Sequence, residues 1–165
     1  MLPPSRLGVR PQMQRFLPHL QLDQRPSAEF MEELVLRSLE IPYVKTRESR
    51  MASPQSYALY LSDPLALGPP EAFIDGHEFC HLHPLPEGGI HLTLPRILRD
   101  EVLRLGWGER HPVAEVCILP ALVTVYAPRN PEELEAVLGL VVQSCAFAQG
   151  KMQVLRGDDA FAVTQ

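Results

Sequence analysis

The sequence predicts an α+β fold, an antiparallel sheet with helices packed on one face. Three observations carry that expectation. Five short segments read as strands between turn-forming stretches, and three others repeat apolar residues at helical spacing behind recognisable helix starts. Residues of the AVILMFWYC set make up 45% of the 165 residues and charged residues 21%, the balance of a chain that buries a core. That length suits one domain.

Taken in order, Ser27 caps a helix with Glu29, Glu32 and Glu33 near its positive end and Phe30, Leu34, Val35 and Leu39 as its apolar stripe, stopped by Pro42. Residues 43–46 and 56–61 read as an antiparallel strand pair, the second with Tyr57, Leu59 and Leu61 on one face. The stretch 63–70, with three prolines and a glycine, is a connection. Strands at 79–83 and 90–94 form a hairpin across the turn-forming residues 84–89. Pro95 opens a short helix that ends at Gly106, and 107–112 follows as a polar loop. A strand at 121–126 leads to the last helix, where Asn130 caps, Pro131 stands first and Glu133 completes a capping box. Leu134, Val137, Leu138, Val141, Cys145 and Ala148 form its stripe until Gly150.

The expected organisation is a mobile or irregular N-terminal arm over residues 1–26, a single α+β domain over 27–150, and a tail over 151–165. Prolines at 3, 4, 11 and 18 break the arm, so it is expected to be neither a signal peptide nor a membrane span. A net charge of −5 without a basic stripe argues against nucleic acid or an anionic membrane as partner. Cys80, Cys117 and Cys145 are an odd number in apolar settings with no CxxC spacing, which fits free thiols in a reducing cytoplasm.

Five of the six histidines lie between His77 and His111. Strand alternation puts His81 and His83 on one face with Phe79, and Cys80 and Leu82 on the other; in the next strand His91 and Thr93 oppose Ile90, Leu92 and Leu94. If both aliphatic faces meet one core, the register brings His81, His83 and His91 onto the same opposite face. Two chemistries fit. Either His81 and His83, with His91 or His111 and a carboxylate such as Glu78, bind a metal, or the imidazoles act metal-free as acid, base and anion stabiliser. Glu78 fits the first only if a bulge turns it away from Cys80 and Leu82. The loop holding Trp107, Glu109, Arg110 and His111 is placed to form a pocket rim, and Arg129 either clamps an acidic substrate or braces the helix entry.

As a set these residues resemble the fungal luciferase family, which also has bacterial relatives. The family carries a Glu before an H-x-H pair, here Glu78, His81 and His83 with one extra residue in the first spacing. It then carries a Leu-His-Leu strand, here His91 and Leu92 with Ile90 in the first place. Gly-Trp-Gly-Glu-Arg-His-Pro follows at 106–112 and Tyr-Ala-Pro-Arg-Asn at 126–130. The resemblance covers 73–150. The family's membrane-anchoring N-terminal segment has no counterpart here, so a soluble protein is expected.

Fungal luciferases add dioxygen to the 3-hydroxy-α-pyrone 3-hydroxyhispidin, and the peroxide formed loses carbon dioxide with light. The resemblance therefore implies an oxygenase of luciferase type that needs no organic cofactor and takes dioxygen as co-substrate, acting on a hydroxy-α-pyrone or a related enolisable small molecule. It implies catalytic roles for His81, His83, His91 and His111 and substrate contacts for Glu78, Trp107, Glu109, Arg110, Tyr126 and Arg129. The expectation covers oxygen chemistry and not light emission. The alternatives are a binding module without catalysis and an enzyme with a metal on the histidines.

Overall fold

The computed structural model describes residues 2–116 and 118–152; Cys117 and the expected tail from 153 onward lie outside the described residues. Six strands form one antiparallel sheet in the order β1-β2-β3-β4-β6-β5: β1 (Lys45–Glu48), β2 (Tyr57–Tyr60), β3 (Glu78–Leu82), β4 (Ile90–Thr93), β5 (Gly108–Arg110) and β6 (Leu122–Val125). Four helices accompany it: α1 (Ala28–Leu39), α2 (Arg96–Arg104), α3 (Pro112–Glu115) and α4 (Pro131–Ala148). The α+β architecture is the one the sequence predicts. Among the described residues no helix is long and apolar enough to cross a membrane.

The alternation of β3, β4 and β6 separates the two sides of the sheet. Leu59, Cys80, Leu82, Ile90, Leu92, Val123 and Val125 are buried on one side with Met31 and Leu34 of α1 and with Leu134, Val137, Leu140 and Val141 of α4. Both helices start as expected. The Ser27 hydroxyl accepts the Phe30 N–H, and Asn130 Oδ1 accepts the Glu133 N–H at 2.8 Å. Glu133 departs from the expected box: its carboxylate accepts the N–H of Arg129, one residue further out, because it also pairs with the Arg129 guanidinium.

Two local expectations are corrected. Pro95 has extended backbone and caps α2 rather than occupying its first turn. Residues 108–110, expected in a loop, add an edge strand to β6. The motif glycine permits this. A Cβ on Gly108 would lie 2.1 Å from the Thr124 carbonyl oxygen, so no other residue fits that close approach unless the strands part.

The arm is irregular but tied down. Gln14 N–H bonds Leu20 O and Leu22 N–H bonds Gln12 O, closing a small loop. Gln21 is fully buried, its amide nitrogen donating to Asp23 O and Gln24 O while its oxygen accepts the Ala127 N–H at 3.0 Å. The Arg129 guanidinium donates to Leu7 O and Gln24 Oε1, and Trp107 Nε1 donates to Pro4 O at 2.7 Å. These bonds hold residues 4–24 against the domain.

Candidate functional site

The site begins with a slip in the ladder. Leu59 pairs with Cys80, but its neighbour Tyr60 pairs with Glu78, so β3 carries one extra residue, Phe79. Such a bulge resets the alternation. Phe79 packs into the core with Cys80 and Leu82 instead of sharing the histidine face, and Glu78 comes out beside His81 rather than with Cys80. The placement of Phe79 on the histidine face is thereby reversed, and the bulge that Glu78 needed to leave the side of Cys80 and Leu82 is present. The Phe79 carbonyl, displaced from regular pairing, accepts the Ser144 hydroxyl at 3.2 Å.

Beyond the bulge the register is regular, and one row of partners crosses all six strands: Arg47, Ala58, His81, His91, Thr124 and Glu109. Two imidazoles stand at its centre with the small side chains of Ala58 and Thr124 beside them. His83, two residues after His81, completes the group.

The three rings converge. His81 Nε2 lies 3.0 Å and His83 Nε2 3.4 Å from His91 Nδ1, and all three side chains are buried. Their other nitrogens face outward to fixed oxygens. His81 Nδ1 is 2.8 Å from Glu78 Oε1, which also accepts the Ser49 hydroxyl at 2.9 Å. His83 Nδ1 is 3.0 Å from Ser53 Oγ and 3.4 Å from Ser56 Oγ. His91 Nε2 donates to the backbone carbonyl of His19 at 3.1 Å, since a carbonyl can only accept.

Two further histidines extend this wall. The ring of His111 stands edge-on to His91 with centroids 4.5 Å apart, and its Nδ1 caps α3 by accepting the Val113 N–H. His19 comes from the arm, edge-on to His111 at 5.3 Å, its Nδ1 donating to Gln14 O at 2.6 Å. His19 Nε2 approaches Glu109 Oε1 to 2.8 Å without hydrogen-bond alignment. Glu109 also accepts the Tyr126 hydroxyl at 3.3 Å.

These five rings form the polar side of a cavity of about 370 Å³. Apart from Ser53, its other walls are apolar: Leu17 and Pro18 from the arm, Met51 and Ala52 from the β1–β2 loop, and Ile74, Val113, Ile118, Leu119 and Leu122. Burial is the main reason His83, His91 and His111 stay uncharged. It pushes His91 well below the ordinary range, His83 down to about 3 and His111 down to about 4, each helped by the neighbouring histidines. Burial and the adjacent Glu109 carboxylate raise the Tyr126 hydroxyl to about 12, so it remains a donor.

Of the residues singled out from sequence, His81, His83, His91 and His111 line this cavity. Glu78, Glu109 and Tyr126 stand behind the wall and bond to its members or to one another. Three others lie elsewhere. Trp107 is in the main core at 3% exposure with its indole on the arm. Arg110 is exposed and paired across from Val123, on the helix-covered side. Arg129 braces the helix entry and the arm through Glu133, Leu7 and Gln24. His77 pairs with Asp63 away from the cluster. Sequence reasoning missed His19, because a single histidine in a proline-broken arm carries no periodicity to place it.

Comparison with known proteins gives an independent view. Residues 76–144 match the family described as the Luciferase domain. The chain is 30% identical over 161 residues to luciferases of Armillaria ostoyae and Armillaria mellea, an alignment covering 86% of this chain and 59% of each relative. It is 38% identical over 74 residues to the luciferase of Neonothopanus nambi, covering 42% of this chain and 27% of that one. The chain thus spans about three fifths of the length of the Armillaria relatives. No solved structure matches it.

Proposed function

The chain belongs to the fungal luciferase family, and from that premise we propose that it is an oxygenase of luciferase type acting on a hydroxy-α-pyrone or a related enolisable ring. The observation that carries this is the cavity itself, with one imidazole wall and surroundings that are apolar apart from Ser53. Its volume lies in the range of small-molecule sites, and Leu17, Met51 and Ile118, all exposed, give it a greasy mouth suited to a flat ring.

Addition of dioxygen to an enol requires removal of its proton, stabilisation of the resulting oxyanion and exclusion of water. We assign the first two tasks to His81, His83, His91 and His111. His111 Nδ1 is occupied by the Val113 N–H, so in the neutral ring Nε2 carries the proton and is a donor. His83 Nδ1 rests on two serine hydroxyls that can donate or accept as its ring changes protonation. Burial makes the His83, His91 and His111 rings weak bases in the free protein. An enolate beside them offsets that effect by stabilising a positive ring. The reading involves no organic cofactor, and dioxygen enters as co-substrate.

The test is oxygen uptake by the purified protein with a panel of 3-hydroxy-α-pyrones and related enols. Uptake with at least one of them, abolished in His83→Ala while the protein stays folded, is the expected result. Saturable binding of the same compounds with no oxygen consumed would replace the oxygenase with a non-catalytic binding module.

A further inference from the structure

We propose that His81 Nε2, His83 Nε2 and His91 Nδ1 together form a site for one divalent first-row transition metal ion, bound on the wall of the cavity. The inference stands on the geometry of the three rings and does not depend on the oxygenase reading.

Proton accounting is the first argument. His91 must keep its hydrogen on Nε2 to donate to the His19 carbonyl, which leaves a lone pair on Nδ1. His81 keeps its hydrogen on Nδ1 to meet the Glu78 carboxylate, which leaves a lone pair on Nε2. These two lone pairs face each other across 3.0 Å inside the protein. Two acceptors at that distance repel unless they share a proton or a metal ion lies beside both. His83 Nε2, 3.4 Å from the same Nδ1, aims a third nitrogen at the same point.

The spacing is the second argument. A tetrahedral ion about 2.1 Å from each imidazole nitrogen holds those nitrogens about 3.4 Å apart. The three candidate atoms lie within 4.8 Å of one another, with the two closest approaches at 3.0 and 3.4 Å. Small ring rotations therefore reach coordination geometry with no change in backbone.

The outward bonds are the third argument. Metal-binding imidazoles characteristically donate their distal N–H to a carboxylate, a carbonyl or a comparable acceptor, which fixes ring and tautomer. Here Glu78 serves His81, Ser53 and Ser56 serve His83, and the His19 carbonyl serves His91. The bulge at Phe79 supplies the carboxylate, and the arm supplies the carbonyl. Three protein ligands leave a fourth position, and the three rings line the cavity that would supply it. An all-imidazole donor set favours zinc, iron(II), cobalt(II) or copper(II) over magnesium or calcium. An ion there would also polarise an enolate oxygen as a Lewis acid.

The test uses protein made without a polyhistidine tag, stripped with chelator and titrated with cobalt(II) in the absence of any substrate. Expected are one cobalt per chain by elemental analysis, visible d–d bands that zinc displaces, and a rise in melting temperature on binding. His91→Ala should lose the bands and weaken binding at least about 100-fold; His83→Ala, just beyond β3, decides the point if the first variant does not fold. Glu78→Gln, a positioning change, should keep the stoichiometry and weaken binding about 10–100-fold. Failure of the stripped wild-type protein to take up cobalt or zinc would overturn the proposal, as would uptake unchanged in both histidine variants. Because no substrate is present, a protein that consumes no oxygen leaves this result intact, and a protein that binds no metal leaves the oxygenase to its imidazoles.

Discussion

The two faces of the sheet are built from alternate residues of the same strands and do opposite things. On one face Leu82, Ile90, Leu92, Val123 and Val125 meet α1 and α4, elements whose length and apolar stripes make a continuous buried core. On the other face His81, His91 and Thr124 meet an irregular arm, the β1–β2 loop and the short α3, and a cavity of about 370 Å³ remains between them. Long amphipathic helices cover most of a surface because their stripes repeat. Short loops and a proline-broken arm cover it only in places. The helix-covered face thus sets stability, while the loop-covered face is free to hold polar groups at close quarters.

That division is most directly broken by a matched pair of substitutions. Leu92→Ala, at a fully buried position, should cost about 2–5 kcal/mol in denaturant unfolding. His111→Asn keeps a capping acceptor at the start of α3 while removing the imidazole. It should change stability by less than about 1 kcal/mol and lower oxygen uptake about 100-fold. Equal effects of the two on stability would show that the faces are not separate in function.

Gly108→Ala tests the junction between the faces. Its Cβ would meet the Thr124 carbonyl, and displacing β5 carries Glu109 away from His19. A loss of about 2–3 kcal/mol is expected, with faster amide exchange confined to β5 and to the arm. A shift below half a kcal/mol, on the order of a surface change, would mean that β5 yields freely.

The arm should respond to acid and not to mild alkali. Burial works against ionisation of Glu133, but the hydrogen bonds from Arg129 and the charge of Arg6 outweigh it and hold the carboxyl below its ordinary 4.5. The folded state then binds fewer protons than the unfolded one, so this contribution is complete above the ordinary value and is lost as pH falls through the folded one. Hydrogen exchange in residues 2–26 should rise below about pH 4. Arg129→Ala should produce the same exchange pattern at neutral pH with a cost of about 1–3 kcal/mol.

The smallest effect is expected at Trp107→Phe. It deletes the indole bond to Pro4 O and should cost about 1 kcal/mol while leaving KM for any turned-over enol unchanged. A tenfold rise in KM would return Trp107 to the substrate wall.

Much of the fold was legible because its signals are local. Ser27 and Asn130 announce their helices through capping chemistry that acts over three residues, and the period of two places Ile90 and Leu92 opposite His91. The grouping of His81, His83 and His91 was legible for the same reason, since their shared face follows from alternation once both strands serve one core. The strand at β5 was not, because three residues are too few to show alternation and the pairing that makes them a strand comes from β6.

By itself, then, the sequence determined the layered architecture, the starts of α1 and α4 and the presence of an imidazole face, all consequences of residue periodicity and short-range hydrogen bonding. The tertiary structure decided which nitrogen of each ring points inward, that Glu78 stands behind His81 while Phe79 turns to the core, and that His19 closes the site from the arm. These depend on a bulge set by the partner strand and on contacts such as that of His91 with His19, 72 positions apart, and no local pattern encodes a partner that distant.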